Sequence, residues 1–317
     1  MRRSSRVRNY FCGLLALSLI ACGRVRRARR RAFEGGAVTA IYFHNPNKDL
    51  FIWCIRWLVK RGYTFISVNE LLQTLHHGKV LPRGAVWLSF DDGCKELLDD
   101  VLPLIRNHHI PVTLFIPTGI IAGDGLFPWL HQKSFSEPQG ENGSVHGGVR
   151  NALTVAELKQ VTAFPEVTIG SHTVSHAVTT HLTEDKIGFE LGESKRVLES
   201  WLQKDIKCFA YPVGRFDGRE KRFLVEFGYT LAATTENAFI TPKTDPYLVP
   251  RFSIGDEISF PEAVCNMVGV WRPAIDPIIN FLRRLSRITR FLNDASGTKP
   301  SGSKLLTLLR LKGRLGG

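Results

Sequence analysis

Residues 86–93, Val-Trp-Leu-Ser-Phe-Asp-Asp-Gly, constrain this chain more than any other stretch. The run is an apolar strand that stops abruptly at two adjacent carboxylates, and Gly93 lets the backbone turn away at once. Two neighbouring acids at a strand end suit a site that needs one metal ligand and one base. Asp-Asp-Gly is equally an ordinary turn signal, so the weight comes from a second stretch about 80 residues downstream, Ser171-His172-Thr173-Val174-Ser175-His176. His172 and His176 stand four apart, a spacing that on a helical turn points both imidazoles the same way. The apolar strand predicted at 167–170 leads into this pair as the first strand leads into the acids. Two histidines and one carboxylate make an open three-ligand site of the kind in which catalytic zinc keeps a position for water.

The paired motifs, SFDDG followed by GSHTVSH, resemble those of the polysaccharide deacetylases of the NodB-homology type, carbohydrate esterase family four. The resemblance covers residues 38–267 and implies an α/β fold, a distorted (β/α)7 barrel, here with basic terminal extensions. It also implies roles: Asp92, His172 and His176 hold a divalent metal, zinc first, and Asp91 is the unliganded base. The activity implied is metal-dependent removal of N-acetyl groups from an amino-sugar glycan, with acetate as product.

Further residues follow from the same resemblance. Tyr42-Phe43-His44 matches the Y-x-H element that opens the domain in a permuted branch, making His44 the acid that protonates the departing amine. Tyr211-Pro212-Val213-Gly214 aligns with the third motif, whose backbone amide faces the oxyanion; here that amide belongs to Val213. The arginine usual in that motif is absent, and Arg251, in the segment 248–252, matches an L-x-R element that pairs with Asp91; a surface ion pair is the plainer alternative for it. Cys94, directly after the motif glycine, is unusual and is expected near the metal.

Charge is distributed unevenly along the 317 residues. Residues 1–32 carry ten Arg and no acid, 277–317 carry nine Lys or Arg and one acid, and the remainder is about five units negative. A catalytic core without a basic face is not expected to bind nucleic acid, whereas basic ends suit a membrane surface. The division expected is therefore 1–32 as a signal-like or anchoring segment, 33–276 as the deacetylase domain, and 277–317 as a basic amphipathic helix with a flexible tail. The apolar run 11–22 is short for a spanning helix and near the length of a signal-peptide core. Leu19-Ile20-Ala21-Cys22-Gly23 resembles a bacterial lipoprotein processing box with Cys22 lipidated, which points to export or attachment at a bacterial envelope. The arginines after it fit a cytoplasm-facing interfacial anchor or a start codon placed too early.

Coarser expectations complete the reading. Helices are predicted over 68–75 with Asn69 as N-cap, over 96–106, over 154–161 with a Thr154/Glu157 capping box, and over 183–202. The stretch 122–150 reads as a long loop in which Trp129 could stack on a sugar. Two rival functions share these motifs: a non-catalytic carbohydrate-binding barrel, and a hydrolase of a lipid-linked or small amide.

Overall fold

The computed structural model describes residues 3–127 and 151–295. The chain forms two compact units, one of Arg31–Glu257 and one of Met1–Arg30 with Ile258–Gly317. In chain order the elements are α1 (Arg3–Ala21), α2 (Arg24–Glu34), β1 (Thr39–Phe43), α3 (Lys48–Lys60), β2 (Thr64–Phe65), α4 (Val68–His77) and β3 (Ala85–Asp91). Then come α5 (Leu97–Asp100), α6 (Leu102–Asn107), β4 (Val112–Ile116), α7 (Thr118–Ala122), α8 (Val155–Val161), β5 (Val167–Ser171) and α9 (Glu184–Leu202). The last are β6 (Cys208–Ala210), α10 (Glu220–Glu226), β7 (Leu231–Ala233), β8 (Phe252–Ser253), α11 (Phe260–Met267) and α12 (Trp271–Ala295).

The larger unit is built on a parallel sheet. Its strands lie in the order β7-β6-β5-β4-β3-β1-β8, with β2 paired to β3, giving the expected distorted (β/α) barrel. Every residue of β1, β3 and β4 is buried, as continuous apolar runs require when a sheet is covered on both faces. Inside the core Phe43 stacks on Phe90 at 5.4 Å, and the one polar atom of Trp87 donates to Thr113 Oγ1 at 3.0 Å. Because all the strands run the same way, their carboxyl ends share one rim. The register sets Phe43 opposite Phe90, Asp91 opposite Phe115 and Ile116 opposite Ser171.

Three local expectations need correction. The cap of α4 is Ser67, whose side chain and Glu70 form a capping box, so Asn69 sits inside the first turn. The helix predicted over 96–106 is two short helices broken at Val101. Pro103 has no N–H to bond the carbonyl of Asp99, so one continuous helix cannot form there. The C-terminal helix begins at Trp271 rather than after Pro277, which lies inside it without an N–H for the Pro273 carbonyl. The Thr154/Glu157 capping box is present, with Thr154 Oγ1 accepting from the Glu157 amide at 3.1 Å.

In the smaller unit α1 packs on α11. Gly13, Ala16 and Leu19 are buried, and Arg8 Nη2 meets the buried Glu262 Oε1 at 2.6 Å. Trp129 with the rest of the 128–150 stretch, and the tail beyond residue 295, lie outside the described residues.

Candidate functional site

The strand ends deliver their side chains to one place. Asp91 is the last residue of β3, and Asp92 and Gly93 follow with φ of 74° and 68°. Left-handed backbone at Gly93 is also a close approach, since a Cβ there would lie 2.8 Å from Ile116 Cδ1. This tight turn puts two consecutive carboxylates into different surroundings.

Asp91 is buried and bonded at both oxygens. Arg251 Nη1 donates to its Oδ1 at 2.8 Å and Nη2 to its Oδ2 at 2.9 Å. The arginine is wholly buried, donates Nε–H to the Thr234 carbonyl at 3.1 Å, bonds Ser89 Oγ at 2.9 Å, and lies 4.5 Å from the Tyr42 ring. Of the two readings of Arg251, the surface ion pair is therefore set aside. Burial raises the Asp91 pKa, but Arg251, His172 and His44 outweigh it and hold the carboxyl below its ordinary value.

Asp92 is as deeply buried but differently partnered. Its Oδ1 accepts no hydrogen bond, while His172 Nε2 lies 3.6 Å away and His176 Nε2 3.4 Å away. Burial raises its pKa, opposed by His44 and His172 and reinforced by Asp91 and Asp256. One ligand atom from each of Asp92, His172 and His176 lies within 4.8 Å of the others. Cys94 is not in this cluster, and its thiol is pushed up by burial and by Asp92.

The two histidines converge without the helical turn that their spacing suggested. His172 directly follows β5, and Thr173 and His176 have φ of 67° and 58°, outside any right-handed helix. The rings meet edge to face at 4.8 Å between centroids. His172 Nδ1 donates to the Ala210 carbonyl at 2.7 Å, since a carbonyl only accepts, which leaves Nε2 its lone pair for a metal. His176 is pushed down to about 3 by burial and by His172, so near neutrality it is an uncharged imidazole able to ligate.

Glu190 of α9 fixes this loop and was not read from the sequence. Its Oε2 accepts from the Val174 and Ser175 amides at 2.7 and 3.0 Å, and its Oε1 from Ser175 Oγ at 2.6 Å. The opposite side of the loop is tied as well: the Thr118 and Gly119 amides donate to the Thr173 and Val174 carbonyls. A second unread residue is Asp256, whose Oδ1 accepts from the Asn45 amide at 3.0 Å beside His44. Glu190 carried one faint signal, an acid among the inward positions of an amphipathic helix; Asp256 carried none.

Two more residues stand at the rim. His44, half-buried just beyond β1, has its ring against Tyr42 at 5.4 Å and acts electrostatically on both aspartates and on His176. Val213 follows β6 and is 41 % exposed, with φ of 58°. A β-branched residue in left-handed backbone is strained by about 1–3 kcal/mol. Asp92, Thr173, His176 and Val213 are four of the six non-glycine residues with positive φ among those described. Strain thus concentrates at the ends of β3, β5 and β6.

The donor set can be tested for a metal on its own chemistry. A buried carboxylate oxygen left without a hydrogen bond, facing two imidazole nitrogens, is costly unless a cation completes it. One carboxylate and two imidazoles are the borderline N/O donors that suit zinc and its neighbours. The residues fit a divalent metal.

The family profile described as polysaccharide deacetylase matches residues 78–232. A poly-β-1,6-N-acetyl-D-glucosamine N-deacetylase of Staphylococcus aureus is 25 % identical over 234 residues, covering 68 % of this chain and 73 % of its own. Among solved structures, the deacetylase PplD of Streptococcus pyogenes superposes with a TM-score of 0.59 at 20 % identity, over 73 % of this chain and 98 % of that one. IcaB of Ammonifex degensii gives 0.59 at 19 % identity, over 73 % and 97 %. The two structures share the fold.

Proposed function

We propose that the chain is a polysaccharide deacetylase, a metal-dependent N-deacetylase, as its likeness to that family over residues 78–232 and to the Staphylococcus relative supports. It hydrolyses N-acetyl groups of an amino-sugar polysaccharide, leaving acetate and a free amine. The observation that carries the reading is the unpartnered Oδ1 of Asp92 between the two histidines, one residue from a carboxylate that Arg251 bonds at both oxygens.

Asp92, His172 and His176 would hold the cation, zinc foremost, which would supply Lewis-acid polarisation of the acetyl carbonyl and acidification of water. Asp91, kept ionised by Arg251, takes the proton of the attacking water through the lone pairs that the guanidinium leaves unused. As the C–O bond forms, the Val213 amide would donate to the oxyanion. His44 gives its proton to the nitrogen as the C–N bond breaks, since an amine leaves poorly without one. The buried groups, Asp91, Asp92 and His172, hold the chemistry, while the more open His44 and Val213 stand where a sugar chain can reach them.

The test is acetate release by the zinc-loaded full chain from a panel of N-acetylhexosamine polymers. Poly-β-1,6-N-acetyl-D-glucosamine comes first because the Staphylococcus relative bears its name. Release from at least one polymer, abolished by a chelator, is the expected result. A metal-loaded chain that binds glycans and releases nothing would overturn the proposal in favour of a binding protein. Release confined to small or lipid-linked amides would move the substrate.

A further inference from the structure

The helical unit carries a surface that the deacetylase chemistry does not use. One face of α1 is committed to α11. Gly13, Ala16 and Leu19 are buried, Arg8 pairs with buried Glu262 at 2.6 Å, and Cys265 Sγ lies 3.6 Å from the Ala16 carbonyl. The opposite face is apolar and open: Val7, Tyr10, Phe11, Leu14 and Leu17 are each between 49 % and 65 % exposed. Their spacing, i, i+3, i+4, i+7 and i+10, makes one stripe about three turns long. Ile278 and Phe281 of α12 are open as well.

The charges that flank the α1 stripe in sequence are of one sign. Arg2, Arg3 and Arg6 precede or overlap its start in sequence, and no acid occurs before Glu34. Arg24, Arg26 and Arg27 follow and are exposed, as are Arg283 and Arg284 after Phe281. Among the described residues no helix is long and apolar enough to cross a membrane. An apolar stripe with an aromatic pair, flanked in sequence by cations on both sides, matches acyl chains lying under anionic headgroups.

We propose that α1 is a retained, in-plane anchor for an anionic membrane surface. The stripe from Val7 to Leu17 enters the headgroup–acyl boundary, and the exposed Arg24, Arg26 and Arg27 that follow it meet lipid phosphates. The face bearing Gly13, Ala16 and Leu19 stays on α11. Removal of residues 1–22 as a leader would strip that face from α11 and leave Glu262 buried without Arg8. The segment is therefore a working part of the mature chain.

The experiment sediments the full chain with vesicles of phosphatidylcholine alone or with roughly 30 % phosphatidylglycerol, while acetate release from a small acetylated substrate is followed in parallel. Binding should require the anionic lipid and fall with salt. It should weaken about tenfold or more in Phe11→Ser/Leu14→Ser, and about fivefold for each of Arg24, Arg26 and Arg27 replaced by Gln. Acetate release should be unchanged in all of them, which separates this proposal from the catalytic one. Equal binding by the variants, or no binding to either vesicle while acetate release is intact, would overturn the anchor. So would a dimer in solution that the stripe substitutions dissolve without any vesicle binding, since a second copy would then be the occupant. Mass spectrometry of the chain from cells should find α1 present; a mature chain starting after Ala21 would contradict the proposal.

Discussion

Asp91 and Asp92 are neighbours in the chain, are both almost fully buried, and meet opposite surroundings. Both oxygens of Asp91 are taken by a wholly buried guanidinium, itself anchored to Thr234 and Ser89. Asp92 has an oxygen with no hydrogen bond and two imidazole nitrogens within 3.6 Å. The difference arises from one backbone feature. Asp91 still has strand geometry and projects onto Arg251, whereas Asp92 is left-handed and projects toward the ends of neighbouring strands. Under the proposed function this is a division of labour: the protein partners both oxygens of one carboxylate itself and leaves the other for a cation to complete.

Removing the partners of Asp92 should have the largest effect. His172→Ala and His176→Ala should each lose the metal and all measurable turnover while leaving the Asp91–Arg251 pair and the fold intact. Metal analysis beside circular dichroism checks this, and full occupancy in either variant would break the ligand assignment.

His44 acts on both carboxylates but bonds neither in the described contacts. His44→Ala should keep the metal and cut amide hydrolysis by about 10²–10⁴-fold. An ester with a good leaving group should suffer far less, because it departs without a proton. Equal losses on both substrates would make His44 a positioning residue.

Arg251→Lys sharpens the Asp91 half. Arg251 opposes the burial that raises the Asp91 pKa, and a lysine supplies charge without the two-pronged bond. The pKa should therefore rise. Asp91 acts as base only above its pKa, so the acid limb of the pH–kcat/KM profile should move to higher pH, with about a tenfold lower rate on that limb. An unmoved limb would mean that another group titrates there.

Glu190→Gln tests the support of the Asp92 half with the smallest expected change. A glutamine keeps the shape but replaces one accepting oxygen with an NH2, which faces donors already in place. Zinc affinity, read by competition with a chelator, should fall about 10–100-fold. An unchanged affinity would make Glu190 a structural acid only.

The site was legible in sequence where its residues are contiguous. Asp91 with Asp92, and His172 with His176, are short patterns at the ends of apolar runs, and parallel strands bring such ends to one rim. Arg251, 160 residues from its partner, could be named only through family resemblance. Asp256 was illegible and Glu190 only faintly legible, because a late loop and helix packing bring them to the site. The two histidines come together beside Asp92, but not on the helical turn that their spacing suggested. A spacing of four is compatible with a helical turn, but the left-handed backbone of Thr173 and His176 has no signature in residues that are not glycine. The N-terminal apolar run was similarly ambiguous, because composition does not reveal that α11 covers one of its faces.

The most direct measurement is zinc content and acetate release in a matched pair, Asp91→Asn and Asp92→Asn. The division of labour predicts that Asp91→Asn binds about one zinc per chain and loses about 10²–10⁴-fold in turnover, because an amide cannot accept the water proton. Asp92→Asn should bind zinc poorly and be inactive for want of it. Metal loss in Asp91→Asn with retention in Asp92→Asn, or the same zinc content in both, would contradict the account.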